Sequence, residues 1–341
     1  MNEDCLKLTT YFGERDRADG KFLADAFTDI YARHELQTSL IMRGVEGFGV
    51  KHHLRSDRLL TLSEDLPLVS VAVDTRRRIE AALTEVKQLR FDGLVTLERA
   101  RMLTGHIETV PLPPELHEAT KLTVYVGRQE RANDKPAYEM IVQLLRQRGI
   151  AGATALLGID GTAHGARQRA KFFARNTQVP LMIIAVGDGS RIAELLPELG
   201  AALARPLVTL ERVQVCKRDG QRLAEPRELP QADPSGRAVW QKLMVYAGEQ
   251  AEHDGHPLHH HLIRGLRAAG AAGATSLRGI WGYHGDHDPH GDSFWQLRRR
   301  VPVLTVIVDS PERIREWFKL VDELTSETGL VTSEMVPAVV R

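Results

Sequence analysis

The chain has 341 residues, with 45 basic side chains set against 45 acidic ones, and one domain usually takes ~100–200 residues, so two or three domains are expected. A formal net charge of zero excludes the cationic surplus of a general nucleic-acid binder, and 43% hydrophobic residues exclude a mostly disordered chain. Two cysteines exclude a disulfide framework, no run approaches the ~18 apolar residues of a membrane span, and Met1-Asn2-Glu3-Asp4 is unlike a signal peptide, so a cytoplasmic protein is expected. The first predicted element is a strand over 6–11. A helix follows, because Phe22, Leu23, Ala26, Phe27, Ile30 and Tyr31 recur at helical spacing on one face. A second strand covers 39–42, and a loop over 44–66 opens with Gly44-Val45-Glu46-Gly47-Phe48-Gly49. A third strand follows Pro67, then a second helix, then a last strand over 94–97.

This pattern occurs three times. Leu8-Thr9-Thr10-Tyr11-Phe12-Gly13 returns as Leu122-Thr123-Val124-Tyr125-Val126-Gly127 and as Leu243-Met244-Val245-Tyr246-Ala247-Gly248. Gly44-Val45-Glu46-Gly47 returns as Gly158-Ile159-Asp160-Gly161 and as Gly279-Ile280-Trp281-Gly282. The tyrosine and glycine landmarks both advance by 114 and then 121 positions, so the unit is duplicated as a whole. A period this long implies tandem domains rather than a solenoid. The expected division is 1–104, 120–216 and 240–341, with proline-bearing linkers over 105–119 and 217–239 that should be stiff and extended.

Later copies supply cap signals that the first lacks. Pro136 and Pro257 suit the first helical turn, and Gly149 and Gly270 suit a left-handed stop. Glu35 stands at that stop in the first copy, so that helix should end differently. Ser310-Pro311 reads as a helix cap, with Ile314, Trp317, Phe318 and Val321 lining one face behind it. The order β-α-β-β-α-β predicts an α+β protein of three tandem ferredoxin-like domains. A sheet covered by helices on one face needs a partner for the other, so the copies are expected to pack inward as an intramolecular pseudo-trimer.

The first copy, through residues 6–13, 44–49, 62–67 and 93–98, strongly resembles the bacterial family called domain of unknown function 190, which is PII-like. The likeness is looser in the other copies, where Arg175 to Pro180 and Leu297 to Pro302 stand opposite 62–67. The resemblance implies a trimer-like ring with small ligands, often adenine nucleotides, in clefts between neighbours. It also implies that the loops over 44–66, 158–179 and 279–301 change shape and meet a partner protein. A membrane channel of the fluoride-channel kind is one partner it suggests. No cofactor is demanded.

Three clusters are candidates for chemistry. The Gly44-x-x-Gly47-x-Gly49 loop could let backbone N–H groups approach a phosphate, although a tight turn explains it equally. Lys51, His52, His53, Arg55 and Arg58 form a cationic loop, and Arg43 precedes the glycines, matched by Arg278 but not by Leu157. Arg43, Gly44, Glu46, Gly47, Gly49, Lys51 and Arg58 are therefore the expected ligand-binding set. Copy three holds eight of the fourteen histidines. Among them His284, His287 and His290 interleave with Asp286, Asp288 and Asp292 and are metal candidates, and His256 and His260 share a helix face. A His-rich surface tract outweighs a built metal site on composition. Glu98, Glu211 and Glu334 recur on the last strands, where cross-strand charge pairing is the preferred account.

No catalytic set emerges. The expected function is a PII-like regulatory protein that binds a small anionic effector in inter-domain clefts and acts through a partner. The alternatives are a divalent-metal protein of the cation-tolerance type and an enzyme on the same scaffold.

Overall fold

The computed structural model describes residues 2–49, 52–56, 65–107, 119–132, 134–163, 166–167, 179–234, 236–284, 290–291 and 301–340. Unit one runs through strand Asn2–Gly13, helix Leu23–Arg33, strands Thr38–Arg43 and Pro67–Thr75, helix Arg76–Val86 and strand Leu94–Thr104. Its first strand pairs with the third on one side and the last on the other, and the third pairs with the second, all antiparallel. The order across the sheet is therefore fourth, first, third, second. The same order recurs through Thr120–Gly127, Gly152–Leu157, Pro180–Gly187 and Leu207–Arg212 in unit two. It recurs again through Val239–Gly248, Ala274–Arg278, Pro302–Asp309 and Leu330–Val340 in unit three. The result is a mixed α/β chain of three repeated domains.

Alternation along each strand sends side chains to two cores. In unit one Leu6, Leu8 and Phe12 join Phe27, Ile30, Tyr31 and Leu83 beneath the helices. The opposite face of all three sheets supplies one shared cluster, including Val69, Val71, Met182, Ile184, Leu304 and Val306. Burying a side chain of this size contributes ~1.5–3 kcal/mol, so this shared cluster holds the units together strongly.

The seams close by strand addition. The start of each loop leaves its own unit and pairs with the second strand of a neighbour. Glu46–Phe48 pairs with unit three, Asp160–Ala163 with unit one, and Trp281–His284 with unit two. The last strands also link the units, with Leu94–Thr104 joining both Leu207–Arg212 and Leu330–Val340. The third link comes from Gln214–Arg218, which pairs with unit three and then turns back at Gln221–Arg222, so the second connector begins as a hairpin.

Local details refine the sequence expectations. Gly149 and Gly270 take left-handed backbone (φ 71° and 84°) after their helices. Glu35 takes it as well (φ 48°), so the first helix ends like the others; Arg78 Nη1 donates to the Glu35 carbonyl at 2.7 Å. Pro136 and Pro257 are extended residues immediately before their helices, because each also closes a two-residue hairpin. Ser310 Oγ does cap its helix, accepting from the Arg313 N–H at 3.4 Å.

Candidate functional site

The last strands bring together groups more than a hundred residues apart. Glu98, Glu211 and Glu334 face Lys7, Lys121 and Lys242 across the ladders of their own units. All six are buried. Each lysine also reaches the carboxylate of the next unit. Lys7 contacts Glu98 and Glu211, both at 2.6 Å, and Lys121 contacts Glu211 at 3.0 Å and Glu334 at 2.5 Å. Lys242 contacts Glu334 at 3.1 Å and Glu98 at 2.8 Å, which completes the ring. Thr9 donates to Glu98 at 3.0 Å.

Burial alone would push Lys7 down, but Glu211 and Glu98 hold its pKa well above the usual lysine range. Burial likewise opposes Glu98, and Lys242, Lys7 and Lys121 hold it well below the usual carboxylate range. Lys242 is raised and Glu334 lowered for the same reasons. The three carboxylates lie close enough to hold a metal ion. Three ammonium groups already neutralise them, so the arrangement is an ion-pair lock. The sequence reading anticipated the cross-strand pairs but not their convergence.

The expected glycine site lies in a seam. A Cβ on Gly47 would stand 2.7 Å from the Ala274 carbonyl oxygen, and one on Gly161 only 2.1 Å from that of Ser39. On Gly282 the distance to the Ala153 oxygen is 2.2 Å. These glycines admit a neighbouring strand. Gly44 is equally enclosed, 2.8 Å from Pro67 and 3.0 Å from the Ser276 oxygen. The backbone N–H groups of Val45, Ile159 and Ile280 donate across the seams at 2.7–2.8 Å. Glu46 is buried and meets Nδ1 of His260 at 2.9 Å. Arg43 is exposed and pairs with Glu14, as Arg278 does with Glu249. Lys51, Arg58 and His287 lie outside the described residues, as do the side chains of His284 and His290.

Gly49 borders a cleft between units one and three, with Tyr11, Phe48, Arg55, Trp240 and Thr275. The cavity is about 60 Å³, and its arginine is held by Asp65 (2.8 Å) and Asp16 (3.5 Å). A cleft between units two and three, bordered by Tyr246 and Tyr283, is about 30 Å³. Both are small beside the ~300–1,000 Å³ of ordinary ligand sites.

A roomier cavity of about 250 Å³ lies where the last strands of the three units meet. Arg99, Arg212 and Arg227 border it, and sequence reasoning missed all three. Arg99 and Arg212 each follow a ring glutamate, and alternation turns them to the other side of the strand. Among the other lining groups, Gln241 Oε1 and Glu334 Oε1 are buried acceptors without a hydrogen bond. The cavity therefore offers guanidinium groups to an anion and two acceptors to a donor. Burial pushes the thiols of Cys5 and Cys216 up to about 12, which keeps both protonated and unreactive near neutral pH.

Comparison with known proteins gives a family. The model of DUF190 (Uncharacterized ACR, COG1993) matches this sequence over residues 5–102, 119–215 and 240–338. A UPF0166 protein from Aquifex aeolicus (strain VF5) is 30% identical over 98 residues, which are 28% of this chain and 92% of that relative. The crystal structure of aspartate kinase from Synechocystis aligns with 98% of this chain at 9% identity and a TM-score of 0.25, a likeness too low to carry an argument. This chain spans 44% of that kinase. No described helix is long and apolar enough to cross a membrane.

Proposed function

The chain belongs to the DUF190 family, matching its model in each of three units, and on that premise we propose that it is a regulatory sensor of a small anionic effector. In this reading the units are ferredoxin-like domains closed into an intramolecular pseudo-trimer. The strand order and the cyclic seam pairing support that shape. The single observation that carries the effector reading is the 250 Å³ cavity bordered by Arg99, Arg212 and Arg227. Arginine stays charged at any physiological pH and presents planar donors to carboxylate or phosphate.

Size selects the ligand class. The cavity falls just under the ~300–1,000 Å³ of ordinary ligand sites, which suits a compact phosphorylated or carboxylated molecule. A nucleotide would place its phosphate there and leave the rest at the mouth. Gln241 and Glu334 favour an effector that also carries an amino or hydroxyl donor. The output is a change in contact with a partner protein, through the loop 44–66 or its counterparts. The membrane channel or transporter suggested by the family resemblance is the partner class for that contact.

Calorimetric titration of the full chain with phosphate, AMP, ATP, cyclic nucleotides and small carboxylates tests this. One of these ligands should bind and raise the melting temperature, as selective binding to the folded state requires. Arg99→Ala and Arg212→Ala should each weaken it by at least about tenfold, since a charge-assisted hydrogen bond is worth ~1.5–3 kcal/mol. Binding indifferent to both variants, or absent across the panel, would overturn the cavity assignment.

A further inference from the structure

The described histidines of unit three hold a second candidate site, which shares no residue with the effector cavity. Each unit has a two-residue hairpin before its first helix. In unit three the ladder sets His253 directly opposite His256. The first helix, Leu258–Ala269, then brings His261 to the same corner. The His261 ring centre lies 5.5 Å from that of His253 and 5.5 Å from that of His256. Nε2 of His261 is buried without a hydrogen-bond partner.

Units one and two provide an internal control. The positions of His253, His256 and His261 hold Ala18, Lys21 and Ala26 in unit one. In unit two they hold Ala132, Lys135 and Met140. The shared fold thus places no demand for imidazole at any of the three. Three separate replacements, all to histidine and all converging on one corner, need a common cause. A core role is a poor one, because the first ring is half-buried and the second exposed.

We propose that His253, His256 and His261 form a binding site for a borderline divalent metal ion of the Zn²⁺, Ni²⁺ or Cu²⁺ class. Imidazole suits these metals, whereas Mg²⁺ and Ca²⁺ take oxygen ligands. The spacing fits. A Zn–N bond of ~2.0–2.1 Å places the metal about 3.2 Å from a ring centre, and tetrahedral angles then separate the ring centres by about 5.2 Å. Rotation about χ1 and χ2 brings the nitrogens onto the ion. A water or the carboxylate of Asp254, which lies 3.8 Å from Nε2 of His253, completes the shell.

The experiment is a titration of untagged, chelator-stripped full chain with Zn²⁺ against a chromophoric chelator, with Co²⁺ absorption reporting geometry. One equivalent should bind with a tetrahedral Co²⁺ spectrum. His253→Ala and His261→Ala restore the residues of unit one, so both variants should fold, and each should weaken binding by at least about tenfold. A His284→Ala/His290→Ala variant should leave that equivalent in place. Absence of binding, unchanged binding in His261→Ala, or loss confined to the His284→Ala/His290→Ala variant would overturn the proposal.

Discussion

The buried ring and the hairpin corner of unit three have opposite histories in the same threefold repeat. Lysine and glutamate stand at the ring positions in every copy. At the corner, alanine, lysine and alanine become alanine, lysine and methionine, and then three histidines. Groups that face the centre act on all three units at once, so no copy can change alone. Groups at the rim act within one copy. Tandem fusion therefore fixes the centre and frees the edges, and specialised chemistry belongs at the edges.

The sharpest way to break this contrast is to remove one ring cation. Lys121→Met leaves the Glu334 and Glu211 carboxylates buried without the ammonium that now sits 2.5 and 3.0 Å away. Glu334 keeps Lys242 and Glu211 keeps Lys7, so two lysines remain for three buried carboxylates, and one uncompensated buried charge costs ~3–5 kcal/mol. The urea midpoint, followed by circular dichroism, should fall accordingly. Lys121→Met combined with Glu211→Leu should recover part of the loss, because a buried pair can be replaced by apolar groups at little cost. A near-neutral Lys121→Met would mean that the ring is not what locks the units.

Acid should attack the same centre. Glu98 and Glu334 have folded pKa values below the ordinary 4.5, so their contribution is complete above pH 4.5 and is lost as pH falls through the folded values. Lys7 and Lys242 are raised above 10.5, so theirs is complete below 10.5 and lost as pH climbs through the folded values. Burial holds Lys121 below 10.5 despite Glu211 and Glu334, so its share runs the other way, with stability gained as pH climbs from its folded value to 10.5. The ring thus predicts a melting temperature that falls in acid and an alkaline limb set by the balance of the three lysines. Glu98→Gln should flatten the acid limb. An acid limb unchanged in that variant would assign it to other carboxylates.

The seams give a smaller effect. Gly161→Ala drives a methyl to within 2.1 Å of the Ser39 carbonyl oxygen, in a strand that two units share. Overpacking of this kind costs ~1–3 kcal/mol. Gly49→Ala meets nothing within 4 Å and should stay within about 0.5 kcal/mol of the parent protein. Equal midpoints for the two variants would show that the seam glycines serve only as turns.

Much of this architecture was legible because repetition is a property of the sequence itself. Equal steps between the tyrosine and glycine landmarks required three units, and periodicity within one unit gave its strands and helices. Function at the seams was not legible. A glycine that admits another strand and a glycine that turns a chain leave the same local pattern, and only the Ala274, Ser39 and Ala153 carbonyls tell them apart. The ring was half legible. The glutamates stood out by recurrence, whereas the lysines sat at the head of apolar strands, and Lys7 meets Glu211 across 204 positions. Asp19-Gly20 and Asp254-Gly255 did signal two-residue hairpins, since both residues of each take positive φ. Reading those turns would have set His253 against His256, a pair otherwise lost among eight histidines.

The smallest effect separates two places for the effector. Arg43 is about half exposed and pairs only with Glu14 among the described residues. Exposed pairs contribute ~0–1 kcal/mol, so Arg43→Ala should barely move the midpoint. Its use lies in binding. An effector held by Arg99 and Arg212 sits on the far side of the shared core and should bind Arg43→Ala as it binds the parent. An effector held by the glycine loop should lose affinity in Arg43→Ala and none in Arg212→Ala. The two variants titrated side by side place the ligand, since each leaves the other's site intact.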